Sequence, residues 1–134
     1  MSTLVGARLS ARCYGRCARI SRPKLMGAGR HEGVLLPSGL VAHNTADAGI
    51  VLSDLQAFQS NLPVVIESEL PVAMHLLALS RLQALMRENA KYDPLTNNCE
   101  NFARKVMLEN ASSPQVVTLV LLAALVGYGL YASR

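Results

Sequence analysis

Tryptophan is absent from this sequence, and other aromatic residues, cysteine and histidine are scarce. Aromatic side chains make up only 4% of the 134 residues, so any core has to be built mainly from leucine, valine and alanine. There are three cysteines, and an odd count without a convincing secretory signal argues against a disulfide framework and favours a reducing compartment. The histidines that could serve as a general base are His31, His43 and His75.

Acidic residues are missing from the first 30 positions, which carry seven arginine and lysine residues. The remaining six basic and nine acidic residues give the rest of the chain a net charge of −3. We therefore predict a basic, flexible N-terminal arm over residues 1–24, with a membrane-surface or nucleic-acid contact, or an organelle transit peptide, as alternatives. Tyr14 is the one aromatic residue among these arginines, so we expect no specific nucleic-acid binding. Cys13 and Cys17 lack further ligands nearby, so we expect no metal or cofactor.

Charge is also missing from residues 116–132, a continuous run of 17 mainly apolar residues. As a helix, this run would rise about 26 Å, close to the roughly 30 Å hydrocarbon core of a bilayer. We therefore predict a single-pass C-terminal transmembrane anchor, preceded by a linker at residues 111–115. A buried core helix is the alternative, and the lack of a polar face argues against it. Arg104 and Lys105 precede the run and place the domain before it in the cytoplasm by the positive-inside rule.

Residues 31–44, HEGVLLPSGLVAHN, have the pattern of a β-hairpin. Two short apolar runs flank Pro37-Ser38-Gly39, in which the glycine can adopt a positive φ. His31 enters the first strand and His43 leaves the second, and these two ends meet in an antiparallel hairpin. Two histidines are therefore predicted at one edge of a small sheet. Further strands are predicted at residues 50–52 and 64–66, and helices from Ser53-Asp54 and from Pro71, with His75 packed near the start of the second helix.

The stretch YDPLTNNCENFAR, residues 92–104, reads as a loop that becomes a helix at a cysteine. Thr96, Asn97 and Asn98 are residue types that cap helix starts, and the apolar residues after Cys99 recur at helical spacing. A thiol in the first turn lies at the positive end of the helix dipole, which should lower its pKa and favour the reactive thiolate. The alternative is that Cys99 is an inert, buried small side chain.

Together, the two histidines and the later NNCENF block resemble the lecithin–retinol acyltransferase family, which includes phospholipase A and acyltransferase enzymes of the H-rev type. The resemblance covers about residues 25–110 and is carried by HEGV and GLVAH around the histidines and by the residues around Cys99. It implies an α+β domain in which a small antiparallel sheet packs on helices, a permuted papain-like (NlpC-like) cysteine hydrolase core, here with a C-terminal transmembrane helix added. Asn101 stands where the family usually has histidine.

The resemblance also implies a mechanism and partners. Cys99 would be the nucleophile, His31 the general base, and His43 the residue that orients His31. The substrate would be an acyl ester of a glycerophospholipid, with the acyl group passing through Cys99 to water or an amine. The expected partners are a phospholipid membrane and a lipid acyl donor and acceptor. A thiol peptidase or amidase of the same superfamily, and a non-catalytic membrane-tethered interaction module, are the alternatives.

Overall fold

The structure, a computed structural model, describes residues 3–4, 13–89, 91–94, 97–109 and 114–133. Within these ranges the chain forms an α+β fold in which an antiparallel sheet is packed against helices. Five strands make up most of the sheet, and a sixth contributes two residues. In chain order, the elements are β1 Thr3–Leu4, β2 Cys17–Pro23, β3 Arg30–Leu35, β4 Leu40–Thr45, β5 Gly49–Asp54, α1 Leu55–Gln59, β6 Val64–Leu70, a 3-10 turn Val72–Met74, α2 His75–Glu88, α3 Cys99–Val106 and α4 Pro114–Ala132.

The strand order in the sheet is β1-β6-β2-β3-β4-β5, and all neighbouring strands are antiparallel. Strands β2 to β5 lie side by side in chain order, whereas β6 returns to the other side of β2. The β3–β4 hairpin pairs Val34 with Ala42, and Gly39 in its turn has a φ of 87°. The hairpin predicted over residues 31–44 is thus confirmed.

Two hydrophobic clusters lie on opposite faces of the sheet, because successive strand residues point to opposite sides. On the first face, here called the α1 face, Leu35 packs in a cluster with Phe58 of α1. On the second, the α3 face, Val34 packs in a cluster with Phe102 of α3 and Leu82 of α2. Because both faces are covered, β3 is apolar at successive positions rather than at alternate ones.

Strand β2 corrects the prediction of a flexible arm over residues 1–24. It lies between β3 and β6 in the middle of the sheet, and its Ile20 is fully buried. Its basic residues are also folded in, and Arg19 forms ion pairs with two carboxylates. A run of basic residues predicts a solvated tail when its charges lack partners. Here the fold supplies carboxylate partners from other segments of the chain. Apart from the two residues of β1, residues 1–12 lie outside the described ranges.

The prediction of a transmembrane anchor over residues 116–132 is wrong. In the part of the chain that the structure describes, no helix is both long and apolar enough to cross a bilayer. These residues belong to α4, and their run would rise about 26 Å against a hydrocarbon core of about 30 Å. The fold class with an added transmembrane helix, and the single-pass membrane localisation with a cytoplasmic domain, are therefore wrong as well. Of the linker predicted at residues 111–115, the first three lie outside the described ranges and the last two belong to α4.

Candidate functional site

His31 and His43 are neighbours on the α1 face of the sheet. His31 Nε2 lies 2.9 Å from His43 Nδ1, and the ring centroids are 5.1 Å apart with nearly perpendicular planes. Gly33 leaves the space around them, since a Cβ at this position would lie 2.9 Å from both Phe58 Cε2 and Val41 Cγ1. The structure thus brings together the two histidines that the hairpin pattern singled out.

Ser53 of β5 extends this contact into a row of three hydrogen-bonding groups. His43 Nε2 lies 2.9 Å from Ser53 Oγ, and a neutral imidazole has one donor and one acceptor nitrogen. When Ser53 Oγ accepts a hydrogen bond from His43 Nε2–H, His43 Nδ1 has to accept one from His31 Nε2–H. That arrangement leaves a lone pair on His31 Nδ1, the ring nitrogen that is then free to take a proton.

Phe58 of α1 forms the apolar wall behind both imidazoles. Its ring centroid is 5.5 Å from that of His31 and 5.2 Å from that of His43, and Phe58 is almost fully buried. Helix α1 is fixed at its start by Asp54, whose side chain accepts a hydrogen bond of 2.7 Å from the backbone N–H of Ala57. A large, fixed ring against two polar rings restricts their rotation and removes water from one side of the site.

Arg22 brings a buried positive charge to the same face. It is the cross-strand partner of His31 in the β2–β3 ladder. Its Nε donates a hydrogen bond to Phe58 O, its Nη1 donates one of 2.9 Å to Pro23 O, and its guanidinium carbon lies 5.4 Å from the centroid of the Phe58 ring. The charge of Arg22 lowers the pKa of the imidazoles of His31 and His43, and the charge of Cys99 acts on the pKa of Arg22 against the lowering by burial.

Cys99 is the first residue of α3, as the sequence predicted. Asn98 caps the helix: its Oδ1 accepts a 2.8 Å hydrogen bond from the backbone N–H of Asn101, and its Nδ2 donates one of 2.9 Å to Pro94 O. Thr96, another candidate cap, lies outside the described residues. The cap defines the direction in which the first turn leaves the loop, and with it the position of the thiol.

The chain neighbours of the two histidines hold the start of α3 against the sheet. Asn44, which follows His43 in β4, donates a 2.9 Å hydrogen bond from its Nδ2 to Asn97 O. Glu32, which follows His31 in β3, directs its backbone N–H to the Cys99 thiol. These two contacts attach the start of α3 to the strands that carry the histidines, at the positions next to His31 and His43 in the chain. Successive strand residues point to opposite faces, so the contacts are made to the strands and not to the imidazoles.

The pKa of the Cys99 thiol is raised, so the prediction that the helix dipole lowers it is wrong. Burial is the largest cause, and it outweighs the lowering by the backbone N–H groups of Glu32 and Glu100 and by the charge of Lys24. The helix terminus does act on the thiol through these N–H groups. Its effect is smaller than the free energy cost of placing a thiolate in a buried site.

Both imidazoles are shifted in the opposite direction. Burial, followed by the charges of His43, Arg22 and Lys24, lowers the pKa of His31 to about 4. Burial and the charge of Arg22 lower the pKa of His43 to about 4. At neutral pH the site therefore holds a neutral thiol and two neutral imidazoles, which is the protonation state that the hydrogen-bonded row with Ser53 requires.

A partly buried group of charged side chains includes Glu32, whose charge acts on the Cys99 thiol. Arg19 Nη1 contacts Glu32 Oε1 at 3.0 Å, and Arg19 Nε contacts Glu109 Oε2 at 2.9 Å. Burial raises the pKa of Glu32 against the lowering by Arg19. The cluster joins β2, β3 and the segment that follows α3, so it supports the strand whose backbone N–H contacts Cys99.

His75 lies apart from this site, at the start of α2, with its Nε2 3.2 Å from Leu70 O. It lines an open cleft of about 550 Å³ together with Arg16 and Glu69. A second cleft, of about 220 Å³, is lined by Cys13 and residues of the β3–β4 turn and α1. Neither cleft is lined by the two site histidines or Cys99, so we identify the site from its chemistry rather than from its volume. Among the described residues, no group of three or more His, Cys, Asp and Glu side chains is placed to hold a metal.

Sequence reasoning missed Ser53 and Arg22. From the sequence, Ser53 is predicted at a helix cap, a role that belongs to Asp54, and Arg22 is predicted in the flexible arm. For Ser53 the signal was the predicted strand at residues 50–52, which pairs with the strand of His43. Ser53 lies two residues beyond the partner of His43, and residues two apart on paired strands share a face. For Arg22 the signal was the alternation of Ala18, Ile20 and Arg22 on one face of a strand, which the density of arginines concealed.

Comparisons with protein-family models, with curated proteins and with solved structures gave no match to this chain. The resemblance to the lecithin–retinol acyltransferase family therefore stays a prediction that rests on the motifs around His31, His43 and Cys99.

Proposed function

We propose that this chain is a cysteine-dependent acyl hydrolase and acyltransferase that acts on acyl esters of glycerophospholipids. The observation that carries the proposal is the row Ser53–His43–His31, with successive contacts of 2.9 Å. The strands that carry the two histidines also hold the start of the helix that begins at Cys99, through Asn44 and the backbone of Glu32. A nucleophile, a base and a group that orients the base are the three parts that covalent acyl transfer requires.

In the first half of the reaction, the Cys99 sulfur attacks the ester carbonyl carbon as its proton passes to His31 Nδ1. Because the pKa of the thiol is raised and that of the imidazole is lowered, the proton transfer accompanies the attack rather than preceding it. The tetrahedral intermediate then collapses and expels the alcohol, which takes the proton from His31. A thioester on Cys99 and the deacylated lipid are the products of this half.

In the second half, water or an amine attacks the thioester while His31 Nδ1 takes a proton from the attacking group. The Cys99 sulfur leaves the tetrahedral intermediate and takes that proton from His31, which restores the neutral thiol and the neutral imidazole. His43 stabilises the imidazolium that forms on His31 in both halves, and the Ser53 hydroxyl holds His43 in the tautomer that this needs. The backbone N–H of Cys99, at the start of α3, is the candidate donor to the oxyanion.

Three cysteines in one chain provide an internal control for the nucleophile. Cys13, Cys17 and Cys99 are free thiols that are 1%, 0% and 6% exposed, and burial raises the pKa of all three. A thiol-directed acyl probe, followed by peptide mass spectrometry, should modify Cys99 selectively, and the modification should be lost in His31→Asn. Equal modification of the three thiols, or modification of Cys99 that does not need His31, would contradict the proposed base.

Product analysis then decides between the acyl-transfer proposal and its alternatives. Phospholipid vesicles incubated with the full chain should yield lysophospholipid and free fatty acid, with N-acyl product when a primary amine is added. Cys99→Ser should abolish both products. Cleavage of a peptide amide without any lipid product would favour a thiol peptidase or amidase. Retention of all biological effect in Cys99→Ser would favour a non-catalytic interaction module.

A further inference from the structure

We propose that the β2–β3 loop, residues 24–29, is a docking element that brings the candidate site against an anionic lipid surface. The consequence of docking, which is delivery of a lipid substrate to the candidate site, rests on the function proposed above. The docking contact itself does not need catalysis and is tested without it.

The loop exposes two large apolar side chains at the tip of a hairpin. Leu25 is 66% exposed and Met26 is 89% exposed. The backbone N–H of Lys24 donates a 3.2 Å hydrogen bond to Gly29 O, which closes the base of the loop. A Cβ added at Gly27 would meet no atom within 4 Å, so the tip stands clear of the rest of the described structure.

Basic residues flank this apolar tip, and residues 22–31 contain no acid. Among the described residues, no carboxylate lies within ion-pair distance of Lys24. Arg30, on the other side of the loop, is partly exposed, donates a 2.8 Å hydrogen bond to Ser21 Oγ and lies 3.9 Å from Glu67 Oε1. Apolar side chains flanked by basic ones are complementary to a bilayer interface with anionic headgroups. The apolar groups enter the boundary of the acyl chains, and the cations stay at the headgroups.

The loop is also next to the candidate catalytic groups. It joins Arg22 and Pro23 at the end of β2 to His31 near the start of β3, and the charge of Lys24 acts on both His31 and Cys99. Docking through this loop would therefore place a lipid headgroup region beside the site. A nucleic acid would be contacted through basic and aromatic side chains, and Leu25 and Met26 are neither.

The absence of tryptophan from the chain allows a direct local test. In Met26→Trp, combined with Cys99→Ser to exclude catalysis, the single tryptophan should shift to shorter emission wavelength on vesicles that contain phosphatidylserine. Brominated acyl chains should quench it. Adding Lys24→Glu should weaken the response, as should high salt, because both remove the attraction to anionic headgroups.

Leu76→Trp is the matched control. Leu76 is 81% exposed, and it follows β6, whose Leu70 pairs with Cys17 at the end of β2 remote from the loop. Tryptophan at position 76 should not respond to the vesicles. Sedimentation alone would not locate the contact, because α4 also exposes apolar side chains. Sedimentation without a response at position 26, or equal responses at positions 26 and 76, would overturn the proposal, and so would an equal response on purely zwitterionic vesicles.

A second pair of measurements separates this proposal from the proposed function. Leu25→Ser with Met26→Ser should weaken vesicle partitioning by about tenfold or more, since two apolar side chains no longer enter the interface. The same variant should keep its turnover of a water-soluble short-chain thioester. Docking by Met26→Trp, Cys99→Ser together with no thioester turnover by the wild-type chain would refute the enzyme and leave the docking contact. Turnover with unchanged partitioning in the double serine variant would refute the docking contact and leave the enzyme.

Discussion

Acidification below about pH 6.5 should destabilise this protein, because the two site histidines are held neutral. The pKa of each imidazole is about 4 in the folded chain, against about 6.5 in an unfolded one. The unfolded state therefore binds more protons below pH 6.5, so stability rises with pH in this window. The contribution is fully present above about pH 6.5 and is lost progressively as the pH falls towards 4.

The size of the effect follows from these two pKa values. Between about pH 7.5 and about pH 5, one such histidine changes the free energy of unfolding by about 2 kcal/mol by proton linkage. Halving this for solvent screening leaves about 1 kcal/mol for each imidazole. The two imidazoles together should then lower the free energy of unfolding by about 2 kcal/mol over this pH range. This is a large part of the roughly 5–15 kcal/mol by which a small domain is typically stable.

Urea unfolding followed by far-ultraviolet circular dichroism measures this dependence, since the chain has no tryptophan for fluorescence. His43→Gln should lose about half of the pH dependence or more, whereas His75→Asn, which leaves both site histidines in place, should keep it. Glu32, whose pKa is raised by burial, changes the free energy of unfolding with pH in the opposite direction. It is present in the wild type and in both variants, so its contribution cancels in the comparison. Equal pH dependence in the wild type and in His43→Gln would refute the assignment of neutral, buried imidazoles.

Three further predictions concern the groups that support the site. Ser53→Ala should lower the rate of Cys99 acylation by about fivefold to tenfold, the equivalent of one hydrogen bond, while Ser38→Ala, which removes a 3.4 Å contact in the exposed turn, should not change it; equal effects would refute the proposed tautomer control. Gly33→Ala should lower the free energy of unfolding by about 1–3 kcal/mol through overpacking, and Gly127→Ala, with nothing within 4 Å of its Cβ, should not lower it. Asn98→Ala should cost about 1 kcal/mol by removing the helix cap, and an unchanged melting temperature would contradict that role.

The protonation states of Cys99 and His31 decide between two ways in which a cysteine nucleophile can be activated. A thiolate–imidazolium pair would be reactive in the absence of substrate, whereas a neutral pair reacts when a carbonyl arrives and proton transfer accompanies attack. The raised pKa of Cys99 and the lowered pKa of His31 favour the second. Slow alkylation of Cys99 by a simple alkylating agent, together with selective acylation by an ester, is the expected combination.

The sequence was sufficient for those features that depend on neighbouring residues. The hairpin around Gly39 and the start of α3 at Cys99 follow from turn chemistry, capping residues and short-range periodicity, which act within a few positions of the chain. The pairing of the two histidines follows from the same hairpin. These predictions needed no knowledge of what packs against either element.

Tertiary structure alone decided what surrounds those groups. It placed β2 in the middle of the sheet, brought Arg22 and Ser53 to the histidines from two other strands, and reversed the predicted pKa shift of Cys99. It also gave no support to the transmembrane anchor. The physical reason is that burial and charge pairing are set by segments far apart in the chain, and in this site burial outweighs the local effect of the helix terminus.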